Sequence, residues 1–354
     1  MTDTGDIYDA MRTRRVLVGF DGFVDTIVHA VAVRHGEHYD RIWTITDFGK
    51  RIISAAGKSS NVELVPQSRR IGGNGPLLAN ALCNFAVNVR YIGTLGDCER
   101  NIFRDFAAKT RAISIGDYSE TRAVEFSDGK ILFGEMLPLC SVAADDILSK
   151  ISREDLVKIM ETSDAFALTN WTMTAHLTEI AQFFAHDILP LCEGGNRVFF
   201  FDLADPEKRQ RSELVKFLET IKYFEKFGRS VLGLNIREAQ QVLRAIGENS
   251  DLSDTRASLE EAAVLLRKCL RIELVFIHGV KVSAAATGEA CAAAEGYFVA
   301  DPKISTGAGD HYNAGFLATY LCGCGIDLAV NFAAAAASFY VKTAQSPSIG
   351  DVKF

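Results

Sequence analysis

Short, continuous apolar runs recur along the chain at Val16–Phe20, Val89–Ile92, Ala165–Thr169, Val198–Leu203, Ser230–Leu234 and Leu274–Ile277. They do not alternate with polar residues, so they predict strands buried on both faces, the condition of a parallel sheet covered by helices. Helical periodicity fills the intervals, and alternating strands and helices predict an α/β layer fold. One stretch breaks the rhythm. Glu120–Phe126 and Lys130–Met136 alternate around Ser127-Asp128-Gly129, which predicts a hairpin with a glycine turn. Residues 31–65 read as a longer, polar and irregular insertion. Segments 31–65 and 115–140 are where a lid over the strand ends is expected, although periodicity alone gives a merely decorative hairpin equal weight. No repeat, low-complexity tract or linker divides the chain, so residues 1–354 are expected to form one domain.

Bulk properties narrow the function classes. The chain is 48% hydrophobic and 23% charged, ordinary for a soluble globular protein. A formal charge of −7 argues against a nucleic-acid surface but not against phosphate ligands, which need only local positive potential. No apolar run reaches the length of a membrane span, and the polar N-terminus MTDTGDIYDAMRTRR has no secretory apolar core. No membrane partner and a cytoplasmic location are therefore expected. The eight cysteines are scattered through apolar stretches and read as buried thiols in a reducing compartment, not as a disulfide framework.

Ligands of open α/β sheets gather at the carboxyl ends of strands. Asp21, Asp25, Asn170, Asp202, Asn235 and His278 all follow predicted strands. The most informative segment is Ser305–Tyr312, STGAGDHY, ahead of the apolar-periodic run Phe316, Leu317, Tyr320 and Leu321. Glycines opening a helix make an anion site, because the first helical amides are unpaired and carry positive partial charge. Asp310 at the mouth of that site would repel a phosphate unless it takes a proton from an attacking hydroxyl, which points to phosphoryl transfer. The alternative is an ordinary helix start with Asp310 as a cap.

Three further segments carry candidate chemistry. Gly72-Gly73-Asn74-Gly75-Pro76 precedes the helical pattern Leu77, Leu78, Ala81, Leu82 and Phe85, with Pro76 expected at the first helical position. Asn235 and Glu238 open another helix after a buried strand. They can hold a hydrated magnesium ion, or they can form a capping box. Asp25, with Asp21 as its competitor, can accept hydrogen bonds from two sugar hydroxyls, or it can be a turn acid.

Taken together, the aspartate after the first strand, Gly72-Gly73, IGTLGD at 92–97, Asn235–Glu238, TGAGD at 306–310 and the alanine-rich C-terminal helix ending near TAQSPS resemble the PfkB (ribokinase-like) family of carbohydrate and nucleoside kinases. The resemblance spans nearly the whole chain. It implies a three-layer sandwich with a mostly parallel central sheet and a small β lid. It also implies ATP- and magnesium-dependent phosphorylation of a hydroxyl or hydroxymethyl group on a sugar or sugar derivative. Asp310 then corresponds to the base, and Gly307, Ala308 and Gly309 to the anion hole. Asn235 and Glu238 correspond to the magnesium and phosphate positions, the metal being held through water. Gly279 corresponds to the nucleotide loop, and Asp25, Asp21, Gly73 and Asn74 to sugar contacts. Lids of the family sometimes dimerise through their strands, so a homodimer is compatible with the resemblance. Departures also stand out. Ile304 replaces an aspartate that helps bind potassium, so monovalent-cation activation is not expected. Leu77 replaces a common asparagine, and His278 precedes Gly279 where threonine-x-glycine is usual. Asn74 stands where some sugar-phosphate kinases carry lysine. Two rivals remain at this stage: a nucleoside kinase, with Phe20 and Phe23 stacking a base, and a catalytically weak sugar-binding or regulatory protein on the same fold.

Overall fold

A computed structural model describes residues 4–249, 251–304 and 306–353. Its strands are β1 (Arg15–Phe20), β2 (Phe23–His35), β3 (His38–Arg41), β4 (Leu64–Gly72), β5 (Asn88–Thr94), β6 (Ile113–Gly116), β7 (Ser119–Phe126), β8 (Gly129–Glu135), β9 (Ala165–Leu168), β10 (Arg197–Asp202), β11 (Gly228–Asn235), β12 (Leu274–His278), β13 (Val282–Ala286) and β14 (Cys291–Glu295). The main sheet has the order β14-β13-β12-β11-β10-β9-β1-β5-β6. Pairing is parallel from β12 through β6 and antiparallel at β12–β13 and β13–β14. Every residue of β9 and β10 is buried, as the continuous apolar runs require.

The two faces of this sheet carry separate apolar cores. Leu17, Phe166, Phe199 and Phe201 lie in one, under helices such as Arg211–Tyr223 and Arg256–Leu270. Val16, Val18, Phe200 and Phe276 lie in the other, under Asn74–Asn84, Ala308–Leu321 and Ile326–Thr343. Helix, sheet and helix make the three layers. Phe20 packs against Phe166 and Phe184 and is fully buried, so the expectation that it could stack a base does not survive.

A second sheet, β3-β2-β7-β8 with β4 also on β2, stands beside the first. Its hairpin β7–β8 pairs Phe126 with Gly129 and Glu120 with Glu135, around the expected turn. Residues 31–65 are not irregular: they hold the outer half of β2, β3, the helix Ile45–Ser54 and the start of β4. The helix covers the sheet through Phe48, whose ring lies 5.2 Å from that of Phe126. All eight cysteines are free, but only Cys322 is buried, which corrects the expectation of buried thiols. Among the described residues no helix is long and apolar enough to cross a membrane.

Candidate active site

Strand order reverses around β1, which has β5 on one side and β9 on the other. A crevice is expected at the carboxyl ends there. Asp21 leaves β1, Asn170 follows β9, and Asp202, Asn235 and His278 end β10, β11 and β12. All five therefore line one edge of the sheet.

Asp21 is fully buried and its carboxylate is spent on structure. It accepts hydrogen bonds from Asn74 N at 2.9 Å, Gly75 N at 2.8 Å and Asn170 Nδ2 at 2.7 Å. The two backbone amides, Asn74 N and Gly75 N, begin the helix Asn74–Asn84, so Asp21 caps it from a distance. Burial pushes its pKa up to about 6 against the lowering effect of those bonds. The helix begins two residues earlier than the proline suggests, placing Pro76 third in it. Gly73 precedes it at φ 97°, a backbone region that favours glycine. Asp25 lies on β2 between Arg70 of β4 and Thr121 of β7. A side chain at Gly72 would collide with its carboxylate, so the glycine lets the turn pass close beneath. Burial raises the Asp25 pKa, opposed by the charges of Arg70 and Lys130 and a hydrogen bond from Thr121.

The second glycine turn meets the first. Gly307 stands at φ 93° immediately before the helix Ala308–Leu321. Ser305, which opens the motif, lies outside the described residues. A Cβ on Gly307 would come within 3.1 Å of both Leu77 Cδ1 and the Tyr340 hydroxyl, so Leu77 packs on this turn. Asp310, in the first turn of the helix, is buried and accepts from Asn74 Nδ2 at 2.9 Å across 236 residues of sequence. His278 faces Gly309 and stacks on Tyr312, with centroids 5.0 Å apart. Burial lowers its pKa to about 4, leaving it neutral. His311 is fixed by Gly307 O at 2.7 Å and Ser346 Oγ at 2.7 Å. The carbonyl only accepts, so Nδ1 carries the proton and Nε2 accepts from the serine.

Asn235 and Glu238 form the capping box: Asn235 Oδ1 accepts from Glu238 N, and Glu238 Oε2 from Asn235 N, each at 2.9 Å. Glu238 Oε1 also accepts from Asp205 N at 3.0 Å. The box does not remove Glu238 from the site, because its charge still bears on Asp202 and Asp310. Burial, then Glu238, raise Asp202 to about 8. Burial, then Asp202, raise Asp310 well above its ordinary value, with Asp21 and Glu238 adding to it. Asp202 Oδ2 accepts from Asn313 Nδ2 at 2.8 Å, but Asp202 Oδ1 and Asn313 Oδ1 are buried without a hydrogen-bond partner. Mutually repelling carboxylates with an orphaned oxygen fit a divalent cation. No group of three or more His, Cys, Asp or Glu among the described residues is arranged to bind one directly, so the cation would keep its water shell.

A model of the prokaryotic ketohexokinase family matches residues 4–354. The chain belongs to that family. The ketohexokinase of Haloferax volcanii is 24% identical over 345 residues, 96% of this chain and 90% of that one. Two solved structures share the fold at low identity. The ribokinase of Cryptococcus neoformans var. grubii in complex with ADP superposes with a TM-score of 0.63 at 15% identity, covering 96% of each chain. The ribokinase of Thermotoga maritima superposes with a TM-score of 0.58 at 16% identity, covering 96% of this chain and 95% of that one. The protein is a carbohydrate kinase of the ribokinase fold.

At this edge of the sheet, sequence reasoning set Asp202 and Asn170 at strand ends without a role and passed over Arg70. Arg70 directly precedes the Ile71-Gly72-Gly73 turn, and its charge bears on both Asp25 and Tyr340. Asn74 has a testable role as a positioning residue. Its amide holds Asp310 and lowers that residue's pKa. Asn74→Ala is expected to cut kcat roughly tenfold, the scale of one hydrogen bond to a charged group. If Asp310 is the base, the acidic limb of the kcat/KM pH profile should also move upward, since losing the Asn74 hydrogen bond raises its pKa further. A lower kcat with an unmoved pH profile would show that Asn74 acts only on the fold.

Proposed function

We propose that this kinase transfers the γ-phosphoryl group of ATP to a hydroxymethyl group of a ketohexose, with magnesium, in the cytoplasm. The observation that carries this reading is the convergence of Asp310, the Gly307–Gly309 turn and Asn74 at one helix start, beside Asp202 and Glu238.

Asp25 accepts hydrogen bonds from sugar hydroxyls, and Gly73 and Asn74 form the floor beneath them. Asp21 shapes that floor without touching the sugar, its oxygens already holding Asn74, Gly75 and Asn170. The nucleotide phosphates lie between the Gly307–Gly309 turn and the segment after Gly279. That segment is kept in place by Asp254, which accepts from Val280 N at 3.1 Å, Lys281 N at 2.9 Å and Val282 N at 3.0 Å. Asp202, Glu238 and, through the capping box, Asn235 would hold magnesium by way of water. When bound, the ion neutralises phosphate charge. Asp310, held up by burial and by Asp202, would ionise more readily beside that positive charge. Asp310 takes the hydroxymethyl proton as the oxygen attacks the γ-phosphorus and the bond from that phosphorus to the departing ADP breaks, while the helix amides and Arg70 face the developing negative charge. The second sheet acts as a lid, with β2 and β4 bringing Asp25 and Arg70 over the sugar and excluding water.

ADP release with D-fructose, D-glucose, D-ribose and adenosine as acceptors tests the substrate assignment. The expected order puts D-fructose first in kcat/KM, by roughly tenfold or more, a preference of about 1.4 kcal/mol in transition-state binding. A preference for ribose or adenosine would overturn it.

A further inference from the structure

The opposite edge of the main sheet carries a second cavity, of about 1030 Å³, at the amino ends of β1, β5 and β6. Arg15 begins β1 on this side and Asp21 leaves it on the other. Six residues at about 3.3 Å each separate the two edges by roughly 20 Å. The cavity is thus distinct from the site built around Asp310.

Its walls carry seven cationic side chains and one carboxylate, Asp155, in a chain whose formal charge is −7. The carboxylate is already engaged: it pairs with Lys158 at 3.2 Å and accepts from Ser152 Oγ at 3.0 Å on the same wall. Lys109 donates to the neutral Asn80 Oδ1 at 3.1 Å and Asn84 Oδ1 at 2.6 Å. The remaining five, Arg12, Arg15, Arg90, Arg111 and Lys150, make no ion pair with any carboxylate among the described residues. Asp164, next to Ser163 of the wall, is taken by Arg14 and by the Arg15 amide.

Like charges gathered round one depression repel each other, and a low-dielectric wall focuses their field into the cavity. An acidic protein has ample carboxylates with which to neutralise such a group, yet none pairs with these five lining residues, and Arg12 lies instead over the Tyr8 ring. Guanidinium groups are suited to bidentate recognition of phosphate. The volume is that of a small-molecule pocket, and a compact basin differs from the extended basic stripe of a nucleic-acid surface.

We propose that this basin binds a small, multiply charged phosphate compound. It would enter as the counter-charge that the protein does not itself supply. The ligand chemistry is shared by inorganic pyrophosphate and by phosphorylated sugars, and the test separates the two.

Calorimetric titrations use the full chain without nucleotide, and the basin variant below separates binding there from binding at the turn around Gly307. Pyrophosphate and a hexose bisphosphate are the separate probes, in magnesium-free buffer. Saturable binding of at least one is expected. The triple variant Arg15→Gln, Arg111→Gln, Lys150→Gln should weaken it roughly tenfold or more, the sum of three modest charge contributions. These side chains are exposed and lie outside the catalytic edge, so unchanged melting temperature and unchanged basal kinase activity are expected in the variant. The tighter probe identifies the source as inorganic phosphate or as a sugar phosphate. No binding of either probe, or equal binding by wild type and variant, overturns the proposal and leaves the kinase assignment intact.

Discussion

Replacing Asp310 with asparagine is expected to lower kcat by about 10²–10⁴, the usual contribution of a positioned general base. Asparagine keeps the shape of the side chain and can still accept from Asn74 Nδ2. It cannot take the hydroxyl proton. Because the native carboxylate is buried beside Asp202, Asp21 and Glu238, removing its charge relieves repulsion. ATP affinity and the melting temperature of the ligand-free protein should therefore hold or rise. A helix-capping role alone predicts the reverse, a loss of stability with little specific effect on turnover. Measuring kcat, ATP affinity and melting temperature on this variant separates the two. A drop in kcat below about fivefold falls well short of a general base and would remove Asp310 from that role.

The second large effect concerns Asp202. Its folded pKa of about 8 lies far above the ordinary aspartate range, and Asp21 is raised to about 6. A carboxyl group whose pKa rises on folding binds more protons folded than unfolded. Stability is then greatest at low pH and declines as pH rises from the ordinary carboxylate range through the folded values, here between about 4 and 8. Ligand-free wild type should accordingly melt at a lower temperature at pH 8 than at pH 6, and magnesium should recover part of the loss at pH 8. Asp202→Asn should flatten that dependence and raise the ligand-free melting temperature at pH 8 by about 2 °C or more. The same variant should need roughly tenfold more magnesium for half-maximal rate, about 1.4 kcal/mol of lost cation binding. A variant that melts earlier and keeps the wild-type magnesium requirement would show that the acidic cluster holds no cation.

The central strands were legible because burial on both faces leaves no polar alternation, as at Val198–Leu203. The second sheet was half legible. The β7–β8 hairpin alternates, but the outer half of β2 is exposed from Ala32 onward, and β4 is a polar strand interrupted by Pro66. Neither leaves a sustained apolar pattern, so residues 31–65 read as irregular. β13 and β14 escaped because alanine dominates them, a residue with little strand preference. Among site residues, both glycine turns announced themselves, since positive φ and close approach demand glycine at Gly73 and Gly307. What the sequence could not show is which groups meet. Asn74 reaches Asp310 across 236 residues and Asn313 reaches Asp202 across 111, pairings that exist only once the sheet edge is assembled. For the same reason Asp21 looked like a sugar contact, while folding commits it to the turn beneath.

Transfer of phosphate from ATP to a sugar hydroxymethyl group is the central claim, and phosphorus NMR of the wild-type reaction observes that transfer itself. With magnesium, ATP and D-fructose, a new phosphomonoester signal should grow in step with ADP, split into a triplet by two methylene protons. Consumption of ATP to inorganic phosphate with no ester, or no consumption at all under these conditions, would contradict it.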